Sequence, residues 1–186
     1  MRAMDSDSAR PSGATLIECT HARHAGAILA IFNDAIGTST ALYEYQPRTP
    51  ATMQAWFQAK QAGGFPVIGF ENADGELMGF ASYGAFRAYP ANKYTVEHSV
   101  YIDARFRGRG LAEALMRILI ARARDRQLHV LVGGIDAANT ASIRLHEKLG
   151  FEHAGTIRHA GFKFGRWLDL AFYQLILDTP AEPADG

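Results

Sequence analysis

The residues whose spacing carries the most chemistry are Arg105-Phe106-Arg107-Gly108-Arg109-Gly110. Glycines at 108 and 110 let the backbone approach a ligand with no Cβ in the way. If a helix starts behind them, its first N–H groups and the positive end of its dipole suit phosphate oxygens. Arg105, Arg107 and Arg109 add charge. A Gly-x-Gly before a helix is equally explained by a tight turn that needs glycine. Two nucleotide patterns fail on spacing. A P-loop ends in Gly-Lys-Ser/Thr, and here the chain reads Gly110-Leu111-Ala112. A dinucleotide site needs three early glycines and an acid about twenty residues on, which this loop lacks. His21 and His24 have no acid in HExxH form, so no metal is expected. Cys19 is the single cysteine, which excludes an intramolecular disulfide and a Cys-rich metal site.

The elements that must position this loop follow from periodicity. Val96, His98, Val100 and Ile102 alternate with Glu97, Ser99 and Tyr101, which predicts a strand over Thr95 to Asp103. Leu111, Leu115, Ile118, Leu119 and Arg122 follow the helical period, which predicts a helix over Arg109 to Arg126. The loop is therefore expected between a strand and a helix. Upstream, a strand is expected at Thr15 to Cys19 and a helix at His21 to Ile36, ended by Gly37. A second helix should begin near Pro50 and stop at Gly63-Gly64. Phe65 to Glu71 and Leu77 to Gly84 read as a hairpin turning at Asn72 to Gly75. Downstream, His129 to Gly133 reads as a strand and Asn139 to Leu149 as a helix ended by Gly150. Phe151 to His159 and Arg166 to Leu177 read as closing strands. Strands and helices alternate, so an α/β or α+β domain with one mixed sheet is expected.

The 186 residues fit one domain with one core. The expected division is a flexible tail over 1–14, a single domain over 15–178 and a C-terminal tail over 179–186. Basic and acidic residues balance at 19 each, which argues against nucleic acid or an anionic membrane as partner. Residues 1–14 lack the apolar core of a signal peptide, and no apolar run approaches the ~20 residues that cross a bilayer. A cytoplasmic protein is the default expectation.

Longer blocks around the loop carry a resemblance. Val100 to Leu115 (VYIDARFRGRGLAEAL) resembles the acetyl-CoA motif of the GNAT superfamily of N-acetyltransferases. Asn139 to Phe151 (NTASIRLHEKLGF) resembles that superfamily's second block. Tyr83 to Ile102 and Gly161 to Leu175 (GFKFGRWLDLAFYQL) are similar to the branch acting on phosphinothricin, methionine sulfone and methionine sulfoximine. The likeness spans about residues 15 to 178. It implies a mostly antiparallel twisted sheet of about seven strands flanked by about four helices. It also implies acetyl-CoA as co-substrate. The pantetheine arm would lie along Val100, Tyr101 and Ile102, in a gap between that strand and the strand at His129 to Gly133. The pyrophosphate would sit on Arg107, Gly108, Arg109, Gly110, Leu111, Ala112 and Glu113, with Arg105 nearby. Asn139 and Ser142 would touch the arm. An amine would attack the thioester directly, with no acyl-enzyme and no role for Cys19.

An attacking amine must be neutral, so a general base is expected, and Glu97 matches the resembled family's acid. A thiolate leaves, and His146 stands where many relatives place a proton-donating Tyr. An anionic amino-acid acceptor calls for cationic or polar groups. Arg87, Pro90, Ala91, Asn92 and Lys93 lie in the loop feeding the Glu97 strand, and Phe32 and Tyr43 come from the segments that cover the acceptor side. Phe162, Trp167 and Phe172 suit core or dimer packing, and the resemblance implies a homodimer. The rival acceptors are a protein N-terminus or a polyamine. A non-catalytic acyl-CoA-binding module would keep the glycine loop and lose Glu97 and His146.

Overall fold

The structure is a computed structural model and describes residues 11–185. The expected tail over 1–14 lies mostly outside the described residues; within it, Pro11 to Ala14 form a turn closed by Ala14 N–H on the Pro11 carbonyl at 3.2 Å.

Among the described residues, seven strands and four α-helices are interspersed. The order is β1 (Thr15–Glu18), α1 (His21–Thr38), α2 (Pro50–Ala62), β2 (Val67–Glu71), β3 (Leu77–Ala85), β4 (Thr95–Ile102), α3 (Leu111–Asp125), β5 (Val130–Asp136), α4 (Thr140–Lys148), β6 (Glu152–Lys163) and β7 (Arg166–Ile176). The strands form one sheet in the order β1-β2-β3-β4-β5-β7-β6. Every neighbouring pair is antiparallel except β4 and β5. This is the mixed, mostly antiparallel sheet that the resemblance implies.

The helices cover both faces. In α1, Ile28, Ile31, Phe32, Ala35 and Ile36 are buried at helical spacing. Of these, Ile28, Ile31 and Phe32 form one cluster with Met53 and Phe57 of α2 and Phe80 of β3. α2 starts at a capping box between Thr49 and Thr52, with Pro50 at the first turn, where its missing N–H has no helical partner to lose. On the other face, Leu111, Leu115, Met116 and Leu119 of α3 bury against Ile68, Tyr83 and Val96. Leu115 and Leu119 are fully buried, each worth roughly 2 kcal/mol against exposure.

Some boundaries differ from the periodicity reading. α1 continues through Gly37 to Thr38, and the chain turns extended at Ser39, whose backbone N–H and hydroxyl both donate to the Ala35 carbonyl. The side chain of Ser39 does the work expected of Gly37. α3 begins at Leu111 rather than Arg109, because Gly110 is left-handed at φ 75°. β5 runs on to Asp136, past Gly133-Gly134, because β7 pairs with it as far as Leu170. β6 likewise continues past His159 to Lys163, across an irregularity between Ile157 and Gly161.

Candidate active site

The site is built where β4 and β5 part. Their parallel pairing covers Thr95↔Val130, Val96↔Leu131 and Glu97↔Val132 and then stops. Beyond it β4 stays with β3 to Ile102, and β5 stays with β7 to Asp136. The two strands fork, and the edge of β4 from His98 to Ile102 that faces β5 has no strand partner among the described residues. A cleft of about 400 Å³ occupies the fork, lined by Glu97, Val100, Tyr101, Gly134, Asn139 and His146 among others.

At the far end lies the glycine loop. A short 3₁₀ turn, Ala104–Phe106, is capped by Asp103, whose side chain accepts from Arg105 N–H at 2.9 Å. Gly108 and Gly110 are left-handed at φ 76° and 75°, which an L side chain adopts only under strain. A pocket of about 270 Å³ opens over them, bounded by Ile102, Arg107, Leu111, Glu113 and Leu145. The N–H groups of Leu111, Ala112 and Glu113 precede the first helical hydrogen bond, from Ala114 to Gly110, and are free for an anion. Glu113 would oppose that anion, but Lys148 at 2.6 Å and Arg117 at 2.8 Å neutralise it and hold its carboxyl below the usual range. The three loop arginines are not equivalent. Arg105 is bound to Asp103 and Glu76, and Arg107 to Asp34. Arg109 lies over the Phe106 ring with no carboxylate partner among the described residues.

At the fork, Glu97 projects to the α1/α2 side, opposite Val96 and His98. It is open to the cleft, yet the surrounding walls strip enough water to raise its carboxyl above the ordinary value, with Arg87 pulling the other way. A Cβ at Gly134 would stand 3.2 Å from Glu97 Oε1, so the bare backbone there makes room for the carboxyl.

Under the cleft floor two buried imidazoles meet. His146 Nδ1 lies 2.7 Å from the Ser142 carbonyl and His98 Nε2 lies 2.9 Å from His146 Nε2. A carbonyl can only accept, so His146 carries its proton on Nδ1 and presents a lone pair at Nε2. His98 must then donate from Nε2. Its Nδ1 meets no hydrogen-bond partner among the described residues, while the Val132 backbone favours a proton on the ring. Burial pushes His98 down to about 3 and lowers His146, so both are neutral at pH 7.

The pattern of the acetyltransferase (GNAT) family matches residues 21–151. The chain belongs to that family. It is a GNAT N-acetyltransferase. The chain is 50% identical over 151 residues, 81% of this chain and 88% of the relative, to the L-methionine sulfoximine/L-methionine sulfone acetyltransferase of Pseudomonas paraeruginosa. A crystal structure of an N-acetyltransferase from Staphylococcus aureus superposes with TM-score 0.85 at 48% identity, covering 89% of this chain and 99% of that one. A GNAT superfamily phosphinothricin acetyltransferase from Sinorhizobium meliloti, in complex with acetyl-CoA, gives TM-score 0.88 at 34% identity, covering 94% and 95%.

The residues of this acetyltransferase fit acetyl-CoA. The unpartnered β4 edge suits the amides of a pantetheine arm, and the left-handed glycines and free N–H groups suit a pyrophosphate. Asn139 borders the cleft while its Oδ1 caps α4 by accepting from Ser142 N–H at 3.1 Å, which leaves its amide donors for a ligand. Cys19 is buried and its thiol is pushed up to about 12, so it offers no thiolate. His24 is held by Glu71 at 3.1 Å and by the Thr20 N–H, while His21 stands edge-on to Phe57.

The acceptor-side residues separate. Tyr43 is half-buried beside Asp136 and Arg166, with its hydroxyl unpartnered among the described residues. Arg87 is exposed and acts electrostatically on Glu97. Phe32 does not reach the cleft: its ring is buried against Trp56, Phe80 and Tyr101, under the Arg48 guanidinium at 3.9 Å. Pro90, Ala91 and Lys93 line another pocket, against Pro183 to Asp185, with Asn92 in the same 3₁₀ turn. The turn at Pro90 carries them away from Glu97. Sequence reasoning missed His98, read only as a strand position, and Lys60, which borders the cleft from α2. Asp136 was missed as well. It gathers Thr40 Oγ1 and Arg166, the latter at 3.2 Å, and ties the loop after α1 to β5 and β7.

Proposed function

We propose that this acetyltransferase moves the acetyl group of acetyl-CoA to the α-amine of a small amino acid of the methionine sulfone, methionine sulfoximine or phosphinothricin type, with Glu97 as general base. The observation that carries the reading is Glu97 at the fork of β4 and β5, its carboxyl pushed upward by desolvation and facing the cleft. A raised carboxylate is a better proton acceptor at neutral pH. Glu97 takes a proton from the ammonium, directly or through water. The freed nitrogen lone pair forms the C–N bond at the thioester carbonyl, the C–S bond breaks, and the sulfur leaves as CoA thiolate. Glu97 releases its proton to solvent, and the second amine proton passes to solvent or to the departing thiolate. The names of the similar enzymes support the acceptor class, and Arg87 beside Glu97 supports an anionic acceptor over a polyamine.

Proton donation to the thiolate is the part assigned to His146 by resemblance. We give His146 a different share. Its Nδ1–H is committed to the Ser142 carbonyl and its Nε2 accepts from His98, so the neutral ring has no proton to release into the cleft. A thiol ionises near pH 8.5, so its thiolate leaves without a dedicated acid. His146 shapes the cleft floor. We also propose a homodimer, because Ile157, Phe162, Phe164 and Trp167 leave a cluster of exposed apolar side chains on the β6–β7 hairpin. Sedimentation at micromolar concentration tests this, and a monomer rejects it.

Thiol release from acetyl-CoA with a panel of amines tests the main reading. Turnover on methionine sulfone or sulfoximine, with none on spermidine or an N-terminal peptide, is expected. CoA binding with no turnover on any amine rejects it.

A further inference from the structure

Lys60 stands in the cleft with no role in the mechanism above. From α2 it reaches over β3, and its Nζ donates to the Tyr83 carbonyl at 2.8 Å. A Cβ built on Gly84 would lie 3.3 Å from Nζ, so the ammonium occupies the side-chain face of position 84. Gly84 is paired with Glu97 across β3 and β4. Directly opposite residues of an antiparallel pair project to the same face, with Cβ atoms about 5 Å apart. The Lys60 ammonium and the Glu97 side chain therefore lie on one face and border the same cleft, with the carboxyl leaning across towards Gly134 of β5.

The ammonium is incompletely satisfied. One of its three N–H groups goes to Tyr83, and no carboxylate pairs with it among the described residues. The Trp56 and Phe65 rings flank it at 5.3 and 5.9 Å. Burial lowers it to about 8, so it is still mostly charged at pH 7. A half-buried cation without a counter-ion is costly, and an anionic ligand removes that cost.

We infer that Lys60 receives the carboxylate of the acceptor amino acid and thereby sets its α-amine against Glu97. The inference rests on the acceptor class proposed above. An α-amino acid carries its two charged groups on one carbon, so it can bridge a cation and a carboxylate that border one cleft on the same face. Arg87, exposed and close enough to act on Glu97, remains free for the polar end of the acceptor's side chain.

The test compares methionine sulfone with the amine it would give on loss of its carboxylate, 3-(methylsulfonyl)propylamine. Lys60→Met should raise KM for methionine sulfone about 10-fold or more, the scale of a charge-assisted bond. KM for acetyl-CoA and for the decarboxylated amine should stay within about two-fold of wild type. Lys60→Gln keeps a donor for Tyr83 and should behave like Lys60→Met, whereas Lys60→Arg should retain most of the amino-acid preference. These two carry the test if Lys60→Met does not fold. Equal change in both acceptors, or in neither, overturns the inference. If wild type turns over no amino acid, the proposed function fails first. Calorimetric titration of methionine sulfone into the CoA-loaded protein then decides for Lys60: binding lost in Lys60→Gln sustains it, and binding unchanged or absent in wild type overturns it.

Discussion

His98 Nε2 and His146 Nε2 stand 2.9 Å apart in the floor of the cleft, and one proton lies between them. Because Ser142 can only accept at the other end of His146, that proton belongs to His98. The pair is a neutral unit, and adding a second proton would place a cation among Phe151 and the Gly133 backbone.

A pH dependence of stability follows. The folded value of His98 is depressed to about 3 from an ordinary 6.5, so the unfolded chain binds the extra proton first. Stability is full above pH 6.5 and falls as pH drops from there towards 3, by about 1 kcal/mol per pH unit. Urea melts between pH 4 and 8 measure this, and His98→Gln should flatten the slope.

Glu97→Gln should lower kcat/KM by about 10²- to 10⁴-fold, the usual worth of a positioned base. In wild type the rate should fall on the acid side at a pH above the ordinary carboxylate value of 4.5, because Glu97 is raised and its protonated form cannot accept. That limb should vanish in the variant. His146→Asn should keep the inflection and lose less than about 10-fold, since the ring supplies no proton.

Gly134→Ala tests the room left for the base. Its methyl would press Glu97 Oε1 at 3.2 Å and Leu170 Cδ1 at 3.4 Å. A fall in kcat with an almost unchanged melting temperature is expected. Gly133→Ala should instead destabilise by roughly 1–3 kcal/mol, because its methyl would lie 2.9 Å from His98 and 3.0 Å from His146 within the packed floor.

Gly110→Ala should act on the co-substrate. The left-handed backbone costs an L residue about 1–2 kcal/mol, and relaxing it moves the first N–H groups of α3. KM for acetyl-CoA should rise while KM for the acceptor stays constant. Arg109→Ala should raise it too, and more at low salt than at high.

Lys163→Met probes the acceptor-side loop. The buried ammonium donates to the carbonyls of Ile36, Ser39 and Leu42 at 2.7, 2.9 and 2.7 Å, gathering the end of α1 and the loop after it. Loss of these bonds should cost more than about 2 kcal/mol in a denaturant melt and raise KM for the acceptor more than for acetyl-CoA.

Much of the acetyl-donor half was legible in the residues. The glycine loop, the alternation of β4 and the helix start behind it lie within one run from Thr95 to Asp125, so neighbouring residues suffice to build the cradle. The place of Glu97 on β4 was legible for the same reason, as a position on the strand leading into that run. The acceptor half was not. Phe32 and Pro90 have suitable types in nearby segments, but a helical face and a 3₁₀ turn direct them elsewhere.

The sequence by itself determined the order of elements, the glycine loop ahead of α3 and the family, because each rests on period, turn chemistry or contiguous blocks. Tertiary structure decided which distant groups meet. Lys60 reaches Tyr83 across 23 residues, His98 meets His146 across 48, and Lys163 holds Ile36 across 127. Pairing and burial of that range depend on how the sheet orders its strands, and no local pattern carries that information. The proton on His146, the room beside Glu97 and the unpaired charge of Lys60 are consequences of that packing.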